Sequence, residues 1–103
     1  MAQKTTFAMV LTAPGVLEPR DIPLPQITDD RALLRIEACG ICGTDCEQFK
    51  SGLGLPMPHI PGHEPLGVIE AIGDAAALRW GVDVGDRVAV ETLLSCHICK
   101  RCL

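Results

Sequence analysis

Near the end of the chain stands Cys96-His97-Ile98-Cys99-Lys100-Arg101-Cys102, three thiols at intervals of three. A C-x-x-C turn brings two thiolates within reach of one metal ion, and a structural zinc site takes four such ligands around a tetrahedron. This run supplies three cysteines, and His97 is a poorly placed fourth because it directly follows Cys96. The same spacing opens the ferredoxin run of iron–sulfur proteins, whose fourth cysteine comes three residues later beside a proline. Zinc and an iron–sulfur cluster therefore both stay open. Cysteines also serve as small buried apolar residues, but a periodic set beside Lys100 and Arg101 makes a poor core strand, so the residues read as metal ligands.

A second concentration of chemistry lies upstream, in Cys39-Gly40-Ile41-Cys42-Gly43-Thr44-Asp45-Cys46 and in Pro61-Gly62-His63-Glu64-Pro65-Leu66-Gly67. A soft thiolate from Cys42 and an imidazole from His63 suit zinc, although spacing alone does not make a site of residues so far apart. Cys39 and Cys42 also have the spacing of a redox dithiol, but such a pair normally opens a helix in a βαβ setting, which the surrounding sequence lacks. Taken alone, His63 fits a surface loop. Thr44 and Glu47 fit a capping box, in which the Thr and Glu side chains each satisfy a backbone N–H of the first helical turn.

The elements that must position these residues are mostly strands. Thr5 to Thr12 is apolar and β-prone and closes at Pro14-Gly15, and Glu18 to Gln26 carries Pro19, Pro23 and Pro25, which excludes a helix. Ala32 to Cys39 alternates, with Leu34, Ile36 and Ala38 on one side and Arg35 and Glu37 on the other, the period-2 pattern of a half-buried strand. Leu66 to Ile72 and Arg87 to Thr92 are further strands, the second with Val88 and Val90 facing inward, and Gly81 and Gly85-Asp86 punctuate the approach to it. One short helix is expected after Cys42, stopped by Gly52. Strands joined by Gly/Pro turns predict a mostly β chain, a small barrel or sandwich.

Composition narrows the function. At 103 residues the chain is one domain at most, and with 48% apolar and 21% charged residues it is expected to fold. Nine basic against thirteen acidic residues leave a net charge of −4 with no basic run, so the footprint of a nucleic-acid binder is missing. The apolar run from Phe7 to Leu11 is too short for a signal-peptide core, and no stretch nears the length of a membrane span. The six cysteines are sparser than in disulfide scaffolds, so we expect a cytoplasmic protein whose thiols bind metal or act chemically. Gly52-Leu53-Gly54 starts like a phosphate loop, but Pro56 and Pro58 stand where its helix would begin.

In order and spacing, Cys42-Gly43-Thr44-Asp45, Gly62-His63-Glu64 with Gly67 and Gly73, Gly85-Asp86-Arg87-Val88 and the cysteine triplet resemble the zinc-dependent medium-chain alcohol dehydrogenases over essentially the whole chain. The resemblance implies the GroES-like catalytic domain, a distorted β-barrel, and an enzyme that oxidises an alcohol, polyol or sugar hydroxyl by hydride transfer to NAD or NADP. It implies Cys42 and His63 as catalytic zinc ligands, Asp45 as the carboxylate that orients His63, and Glu64 as an occasional or alternative ligand. Thr44 is implied as the partner of the substrate hydroxyl, and Cys96, Cys99 and Cys102 as structural zinc ligands. Glu47 stands where many alcohol-oxidising members carry a relay histidine, which is similar to the sugar-dehydrogenase branch. The family's third catalytic ligand, fourth structural cysteine and Rossmann cofactor domain all fall beyond Leu103. We therefore expect residues 1–103 to be a truncated N-terminal segment, inactive by itself, of an enzyme that is a homodimer or homotetramer with neither nucleic-acid nor membrane partners. A non-catalytic zinc-binding or interaction module is the first alternative, and an iron–sulfur redox carrier using the cysteine triplet is the second.

Overall fold

The computed structural model describes residues 3–102, and strands dominate it. Strands β1 (Thr5–Ala13) and β2 (Val16–Pro23) form an antiparallel hairpin. Strands β3 (Ala32–Gly40), β4 (Glu64–Ile72) and β5 (Arg87–Ala89) form an antiparallel sheet in that order. Among the described residues these two sheets do not close on each other. The short β5 stops before Val90, which is 46% exposed, so the expected inward run through Thr92 is corrected: only Val88 is half-buried there. Pro19 and Pro23 fit because β2 pairs on one side alone, and the N–H that a proline lacks is not demanded by a second neighbour.

Helix α1 (Gly43–Ser51) follows Cys42 as expected, and Gly52 ends it with a left-handed φ of 75°, its N–H donating to the carbonyl of Gln48. The cap itself differs from the Thr44–Glu47 expectation. Cys42 is the N-cap residue, and its N–H donates to Asp45 Oδ2 at 2.9 Å. Glu47 instead lies within 3.9 Å of Lys50. A second helix, α2 (Asp74–Trp80), adds to the one the sequence suggested. It is held by Asp29, whose Oδ1 accepts from Ala75 N–H at 3.3 Å and whose carbonyl accepts from Ala76 N–H at 3.1 Å. Gly73 is required there, because a Cβ would collide with the Asp29 backbone.

The buried apolar centre is small: Val10, Leu11, Ile69 and Ala76. Leu11 is 1% exposed and exchanges both backbone hydrogen bonds with His59, which pins the segment between α1 and β4 onto β1. Gly15 N–H donates to the Phe49 carbonyl, tying α1 to the β1–β2 turn. Ile36, by contrast, is 54% exposed, so the apolar side of β3 predicted from its alternation is formed but largely uncovered.

Candidate metal centres

The β3–β4 ladder builds the first site. Its last pairs are Cys39 with Pro65 and Gly40 with Glu64, so the chain leaving β3 and the chain entering β4 lie side by side at one end of the sheet. Cys42 follows two residues past that end and His63 immediately precedes it. Residues 21 apart in sequence thereby meet, with Cys42 Sγ 3.4 Å from His63 Nε2. A Cβ at position 40 would meet Glu64 Oε2, the far end of a half-exposed side chain. Opposite Gly67 the register skips Glu37, a bulge, and a Cβ on Gly67 would strike the Arg35 backbone. Arg87 Nε on β5 reaches across β4 to both carboxylate oxygens of Glu37, at 3.1 and 3.3 Å.

Asp45 serves two structures at once. Oδ2 accepts the Cys42 N–H, and Oδ1 lies 3.5 Å from His63 Nδ1. Oδ1 is buried and lacks a hydrogen-bond partner, since 3.5 Å exceeds a good N–H···O length. A buried acceptor so placed favours the proton on Nδ1 and leaves the Nε2 lone pair facing the Cys42 thiol. The ligand atoms of Cys42, Asp45 and His63 all lie within 4.8 Å of one another. With Oδ2 taken by the Cys42 N–H and Oδ1 facing His63 Nδ1, Asp45 stands where a carboxylate that orients a metal-binding imidazole would stand. Glu64 stands at the edge, its Oε1 4.0 Å from His63 Nε2. Thr44 and Glu47 lie exposed on α1, and Glu47 is turned to Lys50, away from this cluster.

The second site is local. Cys96 Sγ and Cys99 Sγ lie 3.5 and 3.4 Å from Cys102 Sγ, and His97, with a φ of 59°, turns its Nδ1 to Ser95 Oγ instead of joining them. The Ser95 hydroxyl first, and then the Cys96 backbone N–H, hold the Cys102 thiol down to about 6. The backbone N–H groups of Ile98 and Cys99 lower Cys96 in the same direction. Ser95 escaped sequence reasoning, and its only signal was a hydroxyl placed directly before the first cysteine.

Both clusters fit zinc. With zinc–sulfur and zinc–nitrogen bonds of about 2.3 and 2.05 Å, a tetrahedron has an S···S edge of about 3.8 Å and an S···N edge of about 3.6 Å. The observed edges of 3.4 and 3.5 Å are within a few tenths of an ångström of these, and the donors, thiolates and imidazole, are those zinc prefers.

Comparison with known proteins gives the family. The family model of the alcohol dehydrogenase GroES-like domain matches residues 28–103. A probable alcohol dehydrogenase of Mycobacterium tuberculosis is 54% identical over 95 residues, covering 92% of this chain and 26% of the relative. Sorbitol dehydrogenase of Bombyx mori is 36% identical over 101 residues, 93% of this chain and 28% of that enzyme. Among solved structures, a cobalt- and zinc-bound thermostable alcohol dehydrogenase from Pyrobaculum aerophilum superposes with a TM-score of 0.82 at 31% identity, over 96% of this chain and 30% of that one. Galactitol-1-phosphate dehydrogenase from Escherichia coli gives 0.79 at 29% identity, over 94% and 28%. The chain thus spans between a quarter and a third of the length of the relatives it matches. No helix among the described residues is long and apolar enough to cross a membrane.

Proposed function

This chain belongs to the alcohol dehydrogenase GroES-like domain family, and we propose that it supplies the metal-site portion of a zinc- and nicotinamide-dependent enzyme oxidising an alcohol, polyol or sugar hydroxyl. The observation that carries the reading is the Cys42–His63–Asp45 geometry at the end of the β3–β4 ladder. In this reading Cys42 Sγ and His63 Nε2 hold zinc, and Cys96, Cys99 and Cys102 hold a second, structural ion. Zinc supplies Lewis acidity, lowering the pKa of a hydroxyl brought to it so that the proton leaves near neutral pH.

The remaining work falls to side chains of this chain. Asp45 fixes the His63 tautomer and ring angle, which keeps the Nε2 lone pair directed at the metal position. Thr44 accepts a hydrogen bond from the substrate hydroxyl while donating its own to water, so that a proton taken up on one side leaves on the other, and its exposed position on α1 gives solvent access. Glu47, one turn of helix nearer the C-terminus, is paired with Lys50 and would have to leave that pairing to reach further hydroxyls of a polyol or sugar. Glu64 is a reserve carboxylate, 4.0 Å from Nε2. Every strand pairing among the described residues is antiparallel, without a βαβ unit, so we place the nicotinamide-binding fold outside residues 1–103. Sorbitol and erythritol/L-threitol dehydrogenases among the relatives support a polyol as the first substrate class to try.

Cobalt substitution tests the site. Cobalt bound by the chain is expected to show a thiolate charge-transfer band, part of which disappears in Cys42→Ser and in His63→Ala while the Cys96–Cys102 contribution persists. Identical spectra for wild type and Cys42→Ser would overturn the assignment.

A further inference from the structure

Strands β3 and β4 each carry one extra residue, and the two offsets cancel. Leu33 pairs with Ala71 and Leu34 with Ile69, which leaves Glu70 over on β4. Ile36 pairs with Gly67 and Ala38 with Leu66, which leaves Glu37 over on β3 and restores the register for the pairs Cys39–Pro65 and Gly40–Glu64. Without this second bulge, continuing the Ile36–Gly67 register would set Cys39 opposite Glu64 and Gly40 opposite His63. One residue of strand is about 3.3 Å, and a slip of one also turns every side chain to the other face. The 3.4 Å approach of Cys42 Sγ to His63 Nε2 would not survive a displacement of its own size.

The residue left over at the second bulge is the one that Arg87 grips. Arg87 Nε lies 3.1 and 3.3 Å from the two Glu37 carboxylate oxygens, and its own strand is fixed to β4 at both ends. Gly85 N–H donates to the Ile69 carbonyl, Ile69 N–H to that of Asp86, and Val90 N–H to that of Pro65, the partner of Cys39. We propose that Arg87 and Glu37 are positioning residues: their ion pair holds Glu37 as the unpaired residue of β3, and so sets Cys42 beside His63. For metal binding, this rests on the reading of Cys42 and His63 as zinc ligands. Both side chains keep contact with solvent, so the pair adds little to overall stability. Its effect is on which register the end of β3 populates, above all before an ion ties Cys42 to His63.

Charge reversal tests this. Arg87→Glu sets two like charges against each other, and adding Glu37→Arg restores an opposite pair in reverse. In the metal-free, isotope-labelled chain, cross-strand NOEs should join Gly40 to Glu64 in the wild type. They should weaken in Arg87→Glu, as NOEs from Cys39 to Glu64 appear, and return in the double variant. Cobalt added to the same chains should bind the Cys42-dependent site at least about fivefold more weakly in Arg87→Glu, the worth of a well-made exposed ion pair. The double variant should bind it at wild-type strength, and the cysteine triplet should be unaffected throughout. Arg87→Gln, which removes the charge without opposing it, should act in the same direction to a smaller extent, and it serves if Arg87→Glu fails to fold. Unchanged NOEs in these variants would overturn the proposal, as would a register change that leaves cobalt affinity unaltered, a loss shared by the triplet, or a double variant that does not recover. A wild-type spectrum without a Cys42 contribution would remove the zinc reading instead, and the NOEs alone would then decide what places Cys42.

Discussion

The two thiol clusters are built on opposite plans. At Cys42 and His63 the ligands come from segments 21 residues apart, and strand pairing, a helix cap and a half-buried carboxylate place them. At Cys96, Cys99 and Cys102 everything lies within seven residues of turn and irregular backbone, mostly exposed, with the hydrophobic neighbours Leu94 and Ile98 facing solvent at 103% and 84%. The difference concerns which comes first, the fold or the ion. The first cluster is positioned by strand pairing and a helix cap, whereas the second is held, among the described residues, by hydrogen bonds within its own turn, the plan of small lobes that fold around an ion.

That contrast can be broken at the scaffold. Gly67→Val pushes a side chain into the Arg35 backbone beside the Glu37 bulge. We expect a loss of about 3 kcal/mol of stability, the upper range for overpacking, measured by urea unfolding. With it should go metal binding at Cys42–His63 but not at the cysteine triplet. Equal loss at both sites would show that the triplet also depends on the sheet.

A smaller change sharpens the comparison inside the first cluster. Asp45→Asn keeps an oxygen for the Cys42 N–H but removes the charge facing His63 Nδ1. Zinc affinity there should fall by about 10–100-fold, the usual cost of losing such a partner, with helix content unchanged by circular dichroism. A chelator competition showing unchanged affinity would remove Asp45 from its positioning role.

The smallest effect is expected in the lobe. In the metal-free chain Cys102 titrates at about 6 against an ordinary 9.0 because the folded turn, Ser95 foremost, favours its thiolate. A depressed pKa means that the stabilisation is fully present above the ordinary value and is lost as pH falls through about 6. Ser95→Ala should move the midpoint of Cys102 alkylation upward without changing the overall unfolding temperature. An unchanged midpoint would assign the shift to the backbone alone.

The strands were legible because period-2 alternation and prolines report local backbone demands, and β1 to β4 fall where those signals lie. The α1 cap was misplaced by two residues. Thr44 and Glu47 satisfy the usual pattern, but the turn starts at Cys42, where Asp45 serves equally well as the returning carboxylate. Helix α2 carried a signal in its alanine run between Gly73 and Gly81, but seven residues are too few for a clear helical period. Its anchor, Asp29, sits 46 residues from the amide it caps. For the site, residue types suggested the ligands, yet spacing alone could not join Cys42 to His63. Their meeting depends on the β3–β4 register, which is a fact of pairing rather than of local sequence.

Because one carboxylate both caps α1 and faces His63, the proposed zinc site ties the lifetime of the first helical turn to the residence time of its ion. Fraying of that turn frees the Cys42 amide and releases the imidazole in the same event. Ion exchange should then proceed at the rate of local opening, and hydrogen–deuterium exchange at the Cys42 amide becomes a clock for metal departure.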